Sequence, residues 1–86
     1  MIFRRTAGFE RAYSKLTTRD AERVDDAIGR LGADPANPSL RVKRMQGTDR
    51  IWEARASQEL RITFERDDDR ITVRNVGRHD ATLRRP

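Results

Sequence analysis

The chain has 86 residues, 35% of them hydrophobic and 38% charged, and carries a formal net charge of +5. That length allows one domain, residues 1–86, with one modest core that buries roughly 60–65% of the unfolded surface. The absence of cysteine excludes disulfide scaffolds and thiolate metal sites; with no apolar run near ~18 residues and no signal-peptide core after Met1, neither membrane nor secretion is expected, and the expected location is the cytoplasm.

Taken in order, residues 2–6 read as a short first strand. Phe9, Ala12, Tyr13 and Leu16 then recur at helical spacing. Thr17 and Asp20 give an N-cap signal for a second helix. Its stripe runs through Ala21, Val24, Ile28 and Leu31, with Gly32 as the expected stop. Residues 33–50 hold two prolines and one glycine and read as loop, with Leu40, Val42 and Met45 as core anchors. Three strands follow over 51–56, 60–66 and 70–76. Leu60, Ile62 and Phe64 alternate with Arg61, Thr63 and Glu65, and Trp52, Ala54 and Ala56 with Glu53 and Arg55. The parity breaks at Asn75-Val76, which predicts a bulge or a strand end there. The expected fold is therefore α+β, in the order β-α-α-β-β-β. A helical hairpin packs on one face of a small, largely antiparallel four-stranded sheet.

If the helices cover the apolar face, the opposite one presents Glu53, Arg55, Arg61, Thr63, Glu65, Thr72 and Arg74. An ordinary solvated sheet face accounts for these charges as well as a binding surface does. Of the 19 basic residues only Lys15 and Lys43 are lysines. Arginine pairs bidentately with phosphate and stacks on bases, which points to nucleic acid. An arginine-rich proteome or an acidic protein partner explains the bias equally well. Asp67, Asp68 and Asp69 are expected to form a solvated hairpin turn, so no metal site and no cofactor is expected. Trp52 and Tyr13 are expected in the core by their parity and spacing.

The ordered set of short motifs is more specific than any one of them. A helix stripe ends in Lys15-Leu16, then come Asn37-Pro38-x-Leu40 and Met45-x-Gly47. Next are Ile51-Trp52-Glu53-Ala54-Arg55, Leu60-Arg61-Ile62-Thr63-Phe64 and Val76-Gly77-Arg78-His79-Asp80. Over essentially its whole length the sequence resembles the RelE/ParE superfamily, the toxins of type II toxin–antitoxin systems. The resemblance implies a toxin held inactive by a cognate antitoxin, expected to bind through an acidic helical segment. RelE-like members cleave mRNA on the ribosome, by attack of a 2′-OH on its own adjacent phosphate and without a metal. ParE-like members inhibit DNA gyrase, and a non-catalytic protein-binding module on the same fold is a third reading.

For the favoured RelE-like reading, the resemblance makes Arg61 the phosphate contact and His79 the acid or base of proton transfer. Arg55 would neutralise phosphate. Glu53 is a candidate base, with a salt bridge to Arg55 or Arg61 as the plainer role. Arg41, Lys43, Arg44, Arg74 and Arg78 are the candidate RNA contacts. One departure favours the other readings. Many RelE-like nucleases place a Tyr or Phe a few residues past the His or Arg position, and residues 81–86 contain none.

Overall fold

The computed structural model describes residues 2–47 and 50–78, together with Thr82 and residues 84–86. The chain runs β1 (Ile2–Arg5), α1 (Ala7–Ser14), α2 (Thr18–Ala33), a single 3-10 turn (Pro38–Leu40), β2 (Lys43–Arg44), β3 (Ile51–Arg55), β4 (Leu60–Asp67) and β5 (Arg70–Arg78). The α+β class and the helical hairpin match the expectation, but the sheet does not. It has five strands in the order β1-β5-β4-β3-β2, with β1 parallel to β5 and the other pairs antiparallel. The added strand is β2, two residues inside the segment read as loop. Two exposed cations have no alternation to betray a strand, and only the pairing of Lys43 with Glu53 and Arg44 with Trp52 makes one.

Both helices begin on threonine caps. Thr17 Oγ1 accepts the Asp20 N–H, as the sequence pattern predicts. Thr6 Oγ1 accepts the Phe9 N–H and donates to the Arg74 carbonyl at 2.9 Å, so one hydroxyl starts α1 and ties it to β5. Gly32 is not the helix stop, because α2 continues to Ala33. Its small size serves packing: a Cβ there would lie 2.8 Å from the Phe3 ring.

The core lies between the helices and one sheet face, with Phe9, Leu31, Leu40, Ile62 and Phe64 fully buried. Leu40 lies in the cluster and Val42 packs against it, while Met45 is buried outside it, so two of the three expected loop anchors reach the core cluster. Burial of side chains this large stabilises by about 1.5–3 kcal/mol each. The parity break near Asn75 is a β-bulge. Thr63 pairs with Asn75 and Phe64 with Val73, leaving Arg74 as the extra residue. The strand then continues to Arg78, with Val76 buried in the core and Gly77 opposite Arg61 on the other face. Asp67 closes β4, and Asp68 and Asp69 form the turn into β5.

Candidate functional site

The sheet face away from the helices is less open than the sequence suggests. Glu53, Arg61 and Thr63 point to it, yet all three are buried. The face is therefore partly covered, and the reading of it as an ordinary solvated row of charges does not hold for these three residues. Thr82 and Arg85 lie against it, with Thr82 buried against Gly77 and Asn75 Nδ2 donating to the Arg85 carbonyl at 2.6 Å.

Arg61 shows what such burial requires. Its Nη1 donates to the carbonyls of Ser57 (3.0 Å), Gln58 (3.0 Å) and Leu60 (3.1 Å), so the side chain clasps the β3–β4 turn. Neither Glu53 nor Glu65 is its partner, contrary to the cross-strand pairing expected for a surface arginine. Nε and Nη2 make no hydrogen bond among the described residues. Burial pushes its pKa down from the ordinary arginine range, Arg55 pushes the same way, Glu53 opposes, and Arg41 adds a smaller push down. A guanidinium remains charged near neutrality.

Arg55 is the direct cross-strand neighbour of Arg61. Its Nε is buried without a hydrogen bond. Glu53 pairs not with either arginine but with Lys43, whose Nζ lies 3.6 Å from Oε1. Arg41 follows the 3-10 turn in the left-handed region, at φ 46°. That conformation is uncommon for a residue with a Cβ, and here it is closed by the bond from Arg41 N–H to the Pro38 carbonyl. Together with Val42, these residues line a cleft of about 410 Å³. The structure thus brings together Arg41, Lys43, Glu53, Arg55 and Arg61: four cations around one carboxylate.

The remaining sequence candidates lie elsewhere. Arg44 projects to the helix side of the sheet, with its guanidinium 5.0 Å from the Trp52 ring centre. Arg74 is ion-paired with Glu65, and its Nε donates to the Pro86 carbonyl at 3.4 Å. Arg78 is exposed and ion-paired with Glu59. His79 lies outside the described residues. Trp52 and Tyr13 pack against the core as expected, but each is only partly buried. Tyr13 donates its hydroxyl to Asp25 at 2.7 Å. Sequence reasoning missed the turn carbonyls that hold Arg61. An arginine placed just after the Ser57-Gln58-Glu59 turn is the signal that could have found them.

No protein-family model matches the sequence, and no curated protein does. Solved structures do. YafQ from E. coli strain BL21(DE3) superposes with a TM-score of 0.81 at 12% identity, covering 94% of this chain and 96% of that one. The fold is that of the RelE/ParE toxins. A YoeB/ParE toxin from Agrobacterium tumefaciens gives 0.77 at 19% identity, over 92% of this chain and 99% of that one. The RelB–RelE antitoxin–toxin complex from Methanococcus jannaschii gives 0.74 at 18% identity, over 98% and 96%. In each case almost the whole of both chains is shared, so the likeness is to the entire fold of the RelE/ParE toxins.

Proposed function

We propose that this chain is the toxin of a toxin–antitoxin pair and that it cleaves RNA in the Arg41–Arg55–Arg61 cleft. The observation that carries the reading is the pairing of Arg55 with Arg61. Two like charges directly opposite on neighbouring strands oppose folding unless an anion lies between them. A phosphodiester is such an anion. Arg61 Nε and Nη2, which make no hydrogen bond among the described residues, and the buried Nε of Arg55 supply donors to it.

The reaction that suits this site needs no metal. The 2′-OH attacks the adjacent phosphorus, its proton passes to a base, and the bond to the 5′ oxygen breaks. That oxygen takes a proton, leaving a 2′,3′-cyclic phosphate and a 5′-OH. Arg55 and Arg61 stabilise the extra negative charge on the phosphate, a role worth about 10²–10³ in rate for a single well-placed donor. His79, two positions after Gly77 in sequence, is the proton carrier, histidine being the side-chain type suited to proton transfer near neutrality. Glu53 holds Lys43 at the cleft wall. Ribosome-bound mRNA is the proposed substrate, the cytoplasm the proposed location, and an acidic segment of a cognate antitoxin the proposed inhibitor. The basic cleft would steer that segment into place.

Primer extension on mRNAs after brief expression tests the reading. Site-specific breaks are expected. A gyrase-inhibiting toxin, favoured by the lack of an aromatic residue in 81–86, leaves mRNA whole and changes DNA supercoiling instead.

A further inference from the structure

We propose that the chain has a second RNA-binding groove, distinct from the Arg55–Arg61 cleft, in which Arg44, Trp52 and Arg66 hold the backbone and bases of a single strand. The groove encloses about 860 Å³ at the opposite end of β3 and β4, beside the turn into β5. Arg44, Arg50, Arg66 and Arg70 line it, and they outnumber the two aspartates at its rim, Asp67 and Asp68. Glu65, which also borders it, is held by Arg74.

The arrangement around Trp52 is specific. Arg44 comes from β2 and Arg66 from β4, the strands on either side of β3, and both lie on the Trp52 side of the sheet. Their guanidinium carbons stand 5.0 and 5.6 Å from the ring centre, within the range of cation–π contact. Both arginines are exposed, and neither makes an ion pair among the described residues. A guanidinium stacked on an aromatic ring keeps its N–H edge for other partners and loses rotamer freedom, so it is prepared for a bidentate phosphate contact. Planar cations beside an aromatic ring also form a stacking platform for bases. An acidic peptide has no use for that platform, which selects RNA from the possible polyanions.

Edge strand β2 joins the two sites. Lys43 and Arg44 are neighbours, and their side chains alternate across the sheet. Lys43 lines the first cleft and Arg44 the second groove, so one strand can pass from one to the other over the two-residue edge. The choice of RNA as ligand rests on the reading of the first cleft; the groove itself does not depend on cleavage.

The test uses a short 2′-O-methyl oligoribonucleotide, which lacks the attacking hydroxyl and binds without being cut. Its affinity for the full chain is compared with that of Arg44→Ala/Arg66→Ala. Arg19→Ala/Arg23→Ala on the exposed side of α2 serves as a control with the same change in net charge. Affinity is expected to fall about tenfold or more in the groove variant, and the salt slope by about 1.4 for two lost phosphate contacts. The control should change little. Trp52 is the chain's one tryptophan, so its emission should shift as RNA saturates the wild type. Unchanged affinity in the groove variant, an equal loss in the control, or silent Trp52 emission would overturn the groove. Poly-glutamate competing as well as RNA per unit charge would make it a protein-docking site instead. Binding that depends on Arg44 and Arg66, in a protein that leaves natural RNA uncut, would keep the groove and remove the nuclease.

Discussion

Arg55 and Arg61 face one another across adjacent antiparallel strands, and the carboxylate nearest them, Glu53, is engaged by Lys43 instead. Like charges in this register cost roughly 0.2–1 kcal/mol of sheet stability. A bound anion removes that cost, so phosphate should stabilise the protein beyond its ionic-strength effect, as ligand linkage requires. Thermal unfolding in phosphate and in chloride at matched ionic strength measures it. Arg55→Ala should lose the phosphate-specific gain while leaving the phosphate-free midpoint unchanged or slightly higher. An equal phosphate gain in that variant would place the anion elsewhere.

Arg61 combines two roles, and substitution should expose both. Its Nη1 satisfies three carbonyls at the β3–β4 turn, and hydrogen bonds to a charged group contribute about 1.5–3 kcal/mol each in typical cases. Arg61→Ala should therefore destabilise the fold by about 2–4 kcal/mol in urea unfolding, sharing of one nitrogen keeping the loss below the sum. Arg61→Lys should recover part of the stability. An alanine variant as stable as wild type would show that the turn does not rely on this side chain.

Tyr13 gives a pH dependence that can be read directly, because it is the only tyrosine. The hydrogen bond to Asp25 raises its pKa above 10.0, with desolvation and the Asp25 charge adding to the rise. The folded state thus holds this proton more tightly than the unfolded state. The stabilisation is present in full below the unfolded pKa near 10 and is lost as pH climbs through the higher folded value. The ultraviolet phenolate signal should titrate above 10 in the native protein and return toward 10 in Asp25→Asn. Tyr13→Phe should flatten the alkaline fall in stability. A native titration at or below 10 would mean that the α1–α2 bond does not persist in solution.

Much of the fold was legible because periodicity reports burial. The helix stripe through Val24 and Leu31, the alternation through Leu60, Ile62 and Phe64, and the Thr17 cap all appear where the pattern puts them. The break at Asn75 marked a true bulge. Strand β2 was hidden because two residues carry no period. The burial of Arg61 and Glu53 was hidden for another reason: alternation tells which face a side chain points to, not what covers that face. Part of the cover on that face comes from the C-terminal residues, as in the bond from Asn75 to the Arg85 carbonyl, while the β3–β4 turn encloses Arg61 and Lys43 of β2 pairs with Glu53. Likewise Arg41 and Lys43 could be read as basic loop residues, but only the pairing of β2 with β3 brings them to Arg55 and Arg61.

Single-turnover cleavage of ribosome-bound mRNA by purified protein, with the product ends identified, tests the nuclease most directly. The expected products are a 2′,3′-cyclic phosphate and a 5′-OH at defined sites. The rate should be about 10²-fold or more lower in Arg55→Ala, whose fold should remain intact. His79→Ala should slow cleavage by about 10²–10⁴-fold. Wild-type protein that leaves this mRNA intact while inhibiting DNA supercoiling by gyrase would contradict the nuclease and keep only the fold.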